Sequence, residues 1–257
     1  MIDSHLHLQD VRLSSDTEEI MATVRTSGIR RLVVNGTEPL DWDAVEKLAA
    51  DYEEVIAFFG LHPWRVGKET EGWLDDLEAR LRRDDNAGVG EIGLDRWIWN
   101  SDFTRQKEVF SAQLDLARNL DRPVAVHCLQ AWGTLLEVLS DAGSTRRPLL
   151  HSYGGPREMI EDFVELGAFF SISGYFFRPE KAEKLAVFDA VPLDRLLIES
   201  DAPDMLPPPD RVRFAKGDVN HPANLAAIYE AVASRLAISP DEVVTMMRRN
   251  FAAWYGG

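Results

Sequence analysis

Eight short apolar runs, rich in Val, Ile, Leu and Phe, recur along the chain at 1–8, 31–36, 55–61, 88–94, 123–129, 148–152, 168–173 and 196–200. Near-continuous apolarity over so few residues marks strands buried on both faces, the habit of parallel sheets. Amphipathic stretches separate the runs. Residues 103–120 place Phe110, Leu114 and Leu120 at helical spacings behind a candidate cap, Ser101, and residues 224–236 repeat Leu225, Ile228, Tyr229 and Val232. Strand and helix alternating eight times within 257 residues predict an α/β chain folded as a (β/α)8 TIM barrel, one domain over 1–257. An open doubly wound sheet shares the alternation, but no Gly-x-Gly-x-x-Gly follows the first run, which disfavours its dinucleotide-binding form. The one long irregular segment, 202–219, contains Pro203, Pro207, Pro208 and Pro209 and follows the last run, where a barrel carries functional loops.

Composition removes several classes. With 45% hydrophobic residues the chain can bury a sizeable core, so intrinsic disorder is excluded. A single cysteine, Cys128, excludes a disulfide framework and a multi-thiolate zinc cluster. No run approaches the roughly 18 apolar residues of a membrane span, and the opening MIDSHLHL has neither the basic nor the apolar region of a signal peptide, so a cytoplasmic protein without a membrane partner is expected. The 28 Lys and Arg against 43 Asp and Glu leave a net charge of −15, which argues against a long electrostatic footprint on duplex DNA. Any contact with nucleic acid is expected to be local.

The chemistry-bearing residues gather at the ends of the runs. His5 and His7 flank Leu6, and strand alternation points both imidazoles to one face. Such a pair alone reads equally as two satisfied polar residues. Glu91, His127 and His151, however, each fall at the end of a predicted strand, and Asp201 follows one, which is where barrel enzymes keep their reactive groups. Ionisable groups there are costly to bury unless paired or metal-bound. Four imidazoles and two carboxylates exceed the three or four protein ligands of one catalytic zinc and suffice for two ions, with a carboxylate such as Glu91 able to bridge them. The set is suited to hydrolysis.

Read from end to end, the sequence resembles the TatD family of metal-dependent hydrolases, a branch of the amidohydrolase superfamily. The resemblance rests on Asp3-Ser-His-Leu-His, Gly60-Leu-His-Pro, Gly90-Glu-Ile-Gly-Leu-Asp, Val126-His, His151-Ser-Tyr-Gly-Gly, Ser171-Ile-Ser-Gly, Glu199-Ser-Asp-Ala-Pro, Asn220-His-Pro-Ala-Asn and Arg249-Asn-Phe. It implies a (β/α)8 barrel with two metals: His5, His7, Glu91 and Asp201 for one ion, and Glu91, His127 and His151 for the other. It also implies phosphodiester hydrolysis, commonly as a magnesium-dependent deoxyribonuclease of the 3′-5′ exonuclease type. Arg96 stands where a tyrosine often follows Gly-Leu-Asp, a departure that bears on substrate rather than on metal.

The expected function is therefore a metal-dependent hydrolase in which a water activated by the cations attacks a phosphodiester and Asp201 accepts its proton. Two divalent ions, Mg, Zn or Mn, are the expected cofactors; the imidazoles favour transition ions, whereas magnesium prefers oxygen ligands. The expected substrate is a DNA end, a short single strand or a small phosphoester. Hydrolysis of an amide or lactone is the alternative, followed by a noncatalytic metal-binding protein. His62, Arg65, Arg96 and Arg178 are candidate substrate contacts, against the plainer readings of a core histidine and solvated arginines. Trp97 and Trp99 could stack on a base or simply pack. Asp95 and Glu199 neighbour the proposed ligands and are placed to hold imidazoles.

Overall fold

The structure is a computed structural model and describes residues 1–98, 102–143 and 147–256. Eight strands form one parallel sheet in chain order: β1 (Ile2–Leu6), β2 (Arg31–Asn35), β3 (Val55–Phe59), β4 (Gly88–Asp95), β5 (Val124–Leu129), β6 (Pro148–Leu150), β7 (Phe169–Ile172) and β8 (Leu196–Ile198). Seven lie within the apolar runs, and β4 extends one residue beyond the fourth run, to Asp95. The helices between and after them are α1 (Val11–Ser14), α2 (Thr17–Thr26), α3 (Pro39–Asp51), α4 (Trp73–Arg83), α5 (Phe103–Asn119), α6 (Trp132–Asp141), α7 (Ile160–Glu165), α8 (Ala182–Val187), α9 (Leu225–Leu236) and α10 (Pro240–Tyr255). None of the described helices is long and apolar enough to cross a membrane.

β1 and β8 stand at opposite ends of the strand order and meet along a seam. Asp201 N–H donates to the His5 carbonyl at 3.0 Å and His7 N–H to the Ala202 carbonyl at 2.7 Å. Below them the fully buried Asp3 carboxyl accepts from Ser200 N–H at 2.8 Å and from Ser200 Oγ–H at 2.5 Å. A side chain thus supplies part of the pairing that closes the sheet.

The core has two layers. Outside the sheet, strand residues such as Leu6, Val89, Ile92, Leu94 and Val126 pack against helix residues including Leu13, Val109, Phe110 and Leu114. Cys128 sits in this outer layer. Inside the barrel, Ile2, Val33, Ile56, Phe58, Ala125, Leu149, Phe169 and Leu197 fill the lower end, which α10 closes with Phe251 and Trp254. Gly88 lets the Phe58 ring cross the barrel, since a Cβ there would stand 2.3 Å from it. The start of α10 is set locally: Ser239 and Glu242 form a reciprocal capping box with Pro240 in the first turn.

The predicted helices 103–120 and 224–236 are found as α5 and α9. Ser101 and Trp99 lie outside the described residues, and Asp102 caps α5 by accepting from Arg105 N–H. The segment expected to be irregular, 202–219, contains a 3₁₀ turn at Pro209–Arg211 and an antiparallel pairing of β9 (Ala215–Lys216) with β10 (Val219–Asn220).

Candidate metal centre

Plain alternation from the inward-facing Ile2 would aim His5 at the helices, and alternation from Gly88 would do the same to Glu91. A register shift between Asp3 and Leu6 on β1, and another between Val89 and Ile92 on β4, reverses the parity within each strand. His5, His7 and Glu91 consequently enter the barrel mouth, while Leu6 and Ile92 join the outer layer. His127 reaches it from β5, and His151, Glu199 and Asp201 from the first residues past β6 and β8.

Glu91 sits at the centre with its two oxygens facing different partners. Oε2 lies 3.1 Å from His7 Nε2 and 3.4 Å from His5 Nε2. Asp201 Oδ1 closes this group at 3.7 and 3.8 Å from the same nitrogens, which are 3.3 Å apart. Oε1 lies 2.8 Å from His151 Nε2, 2.9 Å from His127 Nδ1 and 3.2 Å from His62 Nε2. Donor atoms about 2.0–2.2 Å from a common ion are necessarily separated by distances of this order. The outer nitrogens explain which atoms face inward. His7 Nδ1–H donates to the Asn35 carbonyl at 2.8 Å, leaving the Nε2 lone pair for the centre. His127 Nε2 faces Asp95 Oδ2 at 2.9 Å, leaving Nδ1 inward. His151 Nδ1 is 3.6 Å from Glu199 Oε1, and Glu199 Oε2 accepts from Ser171 Oγ–H. Such carboxylate or carbonyl partners are the usual means of orienting a metal-ligating imidazole.

The electrostatics require positive charge at the centre. Burial opposes ionisation of Glu91, but the surrounding imidazoles outweigh it and hold the carboxyl well below its usual range. Burial likewise opposes charge on His7, yet Glu91 and Asp201 raise it to about 9. His5 is pushed down to about 4, chiefly by burial and then by His151, and burial raises Asp201 to about 7. Facing lone pairs beside two carboxylates are reconciled by a cation, so the donor set fits divalent metals.

Beside this cluster lies a groove of about 1000 Å³, lined among others by Trp97, Ser152, Tyr175, Arg178, Lys181 and Lys184. Arg178 was singled out in the sequence and lines it, with Nε–H donating to the Leu206 carbonyl at 3.0 Å. Arg65 instead pairs with Glu38 at 3.2 Å, and the Arg96 guanidinium lies over the Phe103 ring at 4.0 Å. His221 accepts from Ala223 N–H and caps the turn before α9. Sequence reasoning overlooked Asn35, which acts through its carbonyl, and Lys181 and Lys184, which carry no motif. Trp64 joins this set through its indole N–H, which donates to Asp95 Oδ2 at 2.7 Å.

A family model described as TatD related DNase matches residues 2–256. The chain is 29% identical over 251 residues to YjjV of Escherichia coli K12, an uncharacterized metal-dependent hydrolase, covering 97% of this chain and 95% of that protein. It is 30% identical over 239 residues to the 3′-5′ ssDNA/RNA exonuclease TatD of Klebsiella pneumoniae, covering 91% and 89%. The solved structure of YjjV superimposes with a TM-score of 0.92 at 28% identity, covering 100% of this chain and 98% of that one. With the fold, the donor cluster and the full-length match in agreement, the chain belongs to the TatD family of metal-dependent hydrolases.

Proposed function

We propose that the protein is a two-cation phosphodiesterase that cleaves nucleotides from the ends of single-stranded DNA or RNA. The observation that carries this reading is the division of the Glu91 carboxylate: Oε2 faces His5 and His7, whose Nε2 atoms Asp201 Oδ1 also approaches, and Oε1 faces His127 and His151, with His62 beside them. Those two groups would each hold one ion, with Glu91 shared. Bound divalent ions supply Lewis-acid charge, acidifying an attacking water and offsetting the negative charge of the scissile phosphate.

The chain's own groups do the rest. Asp201 Oδ1 is placed to take the proton of the attacking water, because it faces the same centre as Glu91 Oε2. His62 is held as a hydrogen-bond donor and serves a substrate oxygen near Glu91 Oε1. The groove supports a strand rather than a small ester: Trp97 and Tyr175 offer faces for bases, and Arg178, Lys181 and Lys184 offer cations for phosphates. Local cations beside the metals suit an end of a strand in a protein of net charge −15. The exonuclease naming of the Klebsiella relative points the same way.

The test is turnover after reconstitution with Mg²⁺, Mn²⁺ or Zn²⁺, on single-stranded DNA, duplex DNA, RNA, small phosphoesters, lactones and amides, with His127→Ala as the blank. Mononucleotide release from single-stranded ends is expected. Turnover confined to lactones or amides would overturn the nuclease reading.

A further inference from the structure

Acids outnumber bases in this chain by 43 to 28, so an arginine has no shortage of carboxylates to meet. Arg12, Arg25, Arg80 and Arg105 each pair with at least one. Arg30, Arg31, Arg147, Arg195 and Arg248 differ: among the described residues none of them has a carboxylate at ion-pair distance. All but the half-buried Arg195 are exposed. Arg30 donates to the carbonyls of Arg25 and Ile29, Arg31 to those of Arg30 and Glu53, and Arg147 to that of Ala253. The Arg195 guanidinium lies over the Phe169 ring at 5.1 Å. Their charges are thus held in place but not neutralised.

The five gather on one side of the closed end of the barrel. Arg30 and Arg31 lead into β2, Arg147 into β6 and Arg195 into β8, while Arg248 lies on α10, which covers that end. Contacts tie these segments together. Arg30 N–H donates to the Met1 carbonyl at 2.9 Å, and Asn250 on α10 donates to the Leu196 carbonyl at 2.8 Å, next to Arg195. Charge on the Met1 amino group is opposed by burial and then by Arg248 and Arg30, which sets both guanidiniums around the foot of β1. Strands β6, β7, β8, β1 and β2 are consecutive around the barrel, so at about 4.8 Å per strand the arginines span an arc of roughly 19 Å. Asp194 borders this arc without reaching ion-pair distance. The loops before β3, β4 and β5 carry acids instead, in Glu53, Asp84, Asp85 and Asp121.

A single small anion would require guanidiniums converging on one point. Guanidiniums spread along an arc match a ligand with repeated anionic groups, and their planar forks suit phosphate oxygens. We propose that Arg30, Arg31, Arg147, Arg195 and Arg248 form a second, noncatalytic phosphate-binding face, which holds a nucleic-acid strand away from the end being cleaved. That the polyanion is a nucleic acid rests on the nuclease reading above; the arginine face does not. Arg178, Lys181 and Lys184 follow β7, inside the same arc, so the cations of the mouth and of the closed end lie on one side of the barrel. A short strand fills the mouth alone, and a long one reaches both.

The experiment measures fluorescence anisotropy of labelled single strands on the full chain, with EDTA present so that no turnover intervenes. Strands of about 5 and about 40 nucleotides are compared over a range of salt. The wild type is expected to bind the long strand about tenfold more tightly than the short one. The combined variant Arg30→Gln, Arg31→Gln and Arg248→Gln should lose that gain and lower the salt slope for the long strand by about 2, at about 0.7 per cation on a single strand. Its binding of the short strand should be unchanged, which also reports that it folds. Lysine at the same three positions should restore the slope, because the charge returns. Glutamine at Arg82, Arg83 and Arg118 removes as much charge elsewhere and should leave long-strand binding unchanged. Equal weakening of both strands, or an equal loss in that control, would overturn the proposal by showing a general field effect. Polyglutamate competing as strongly as the long strand would overturn it in favour of an acidic protein partner. Binding is read without metal, so failure of the nuclease reading would show in turnover alone.

Discussion

The two ends of the barrel interior are built from the same strands and have opposite chemistry. Ala125 and His127 stand two residues apart on β5, and the same interval separates Leu149 from His151, Phe169 from Ser171, and Leu197 from Glu199. Two residues of a strand rise roughly 6.6 Å and point to the same face. Within one layer, therefore, the interior changes from apolar packing to ionisable groups. The lower layer removes hydrocarbon from water and is sealed by Trp254. The upper layer buries carboxylates and imidazoles, which costs stability unless a cation or proton compensates. The lower end positions the strands, and the upper end uses those positions.

The sharpest test of this division is Glu91→Gln. It should lower turnover by about a thousandfold or more, on the scale of losing a central electrostatic group, and chelation of the metals should match it. Asp201→Asn should follow, with turnover down by about a hundredfold to ten-thousandfold, as expected for a lost general base. Cation binding on the His127 side should persist in that variant, as checked by metal titration; full turnover with both ions bound would remove Asp201 from proton transfer. At the other end, Trp254→Ala should cost about 3–5 kcal/mol of stability in denaturant unfolding. Turnover per folded molecule should stay within about twofold of the wild type, and a large loss would break the separation of the two ends. Smallest in effect, Lys181→Ala with Lys184→Ala should weaken binding of a single-stranded oligonucleotide, lowering the salt dependence by about one counterion per cation. Hydrolysis of a small phosphoester should be unaffected, which fluorescence anisotropy and a chromogenic assay can compare.

Much of this architecture is legible in the sequence. The eight apolar runs each hold a strand, and α5 and α9 follow the predicted patterns. His5, His7, Glu91, His127, His151 and Asp201 do converge at one end of the barrel. What escaped was relational. Arg178 lines the groove while Arg65 and Arg96 have partners elsewhere, although all three follow strands and read alike in sequence. Asn35 contributes through its carbonyl, an atom every residue has, so no residue type could announce it. The Trp64 indole N–H meets Asp95, 31 residues away, a pairing that no local pattern signals.

By itself the sequence determined the succession of strands and helices and the kinds of donor at their ends, because apolar periodicity and side-chain chemistry are local properties. Only the tertiary structure decided that Glu91 would face inward and divide its two oxygens between two groups of imidazoles. The register shifts on β1 and β4 depend on pairing with neighbouring strands, and the separations depend on closure of the sheet. A bridging carboxylate is a statement about distances between residues far apart in the chain, and closure sets those distances.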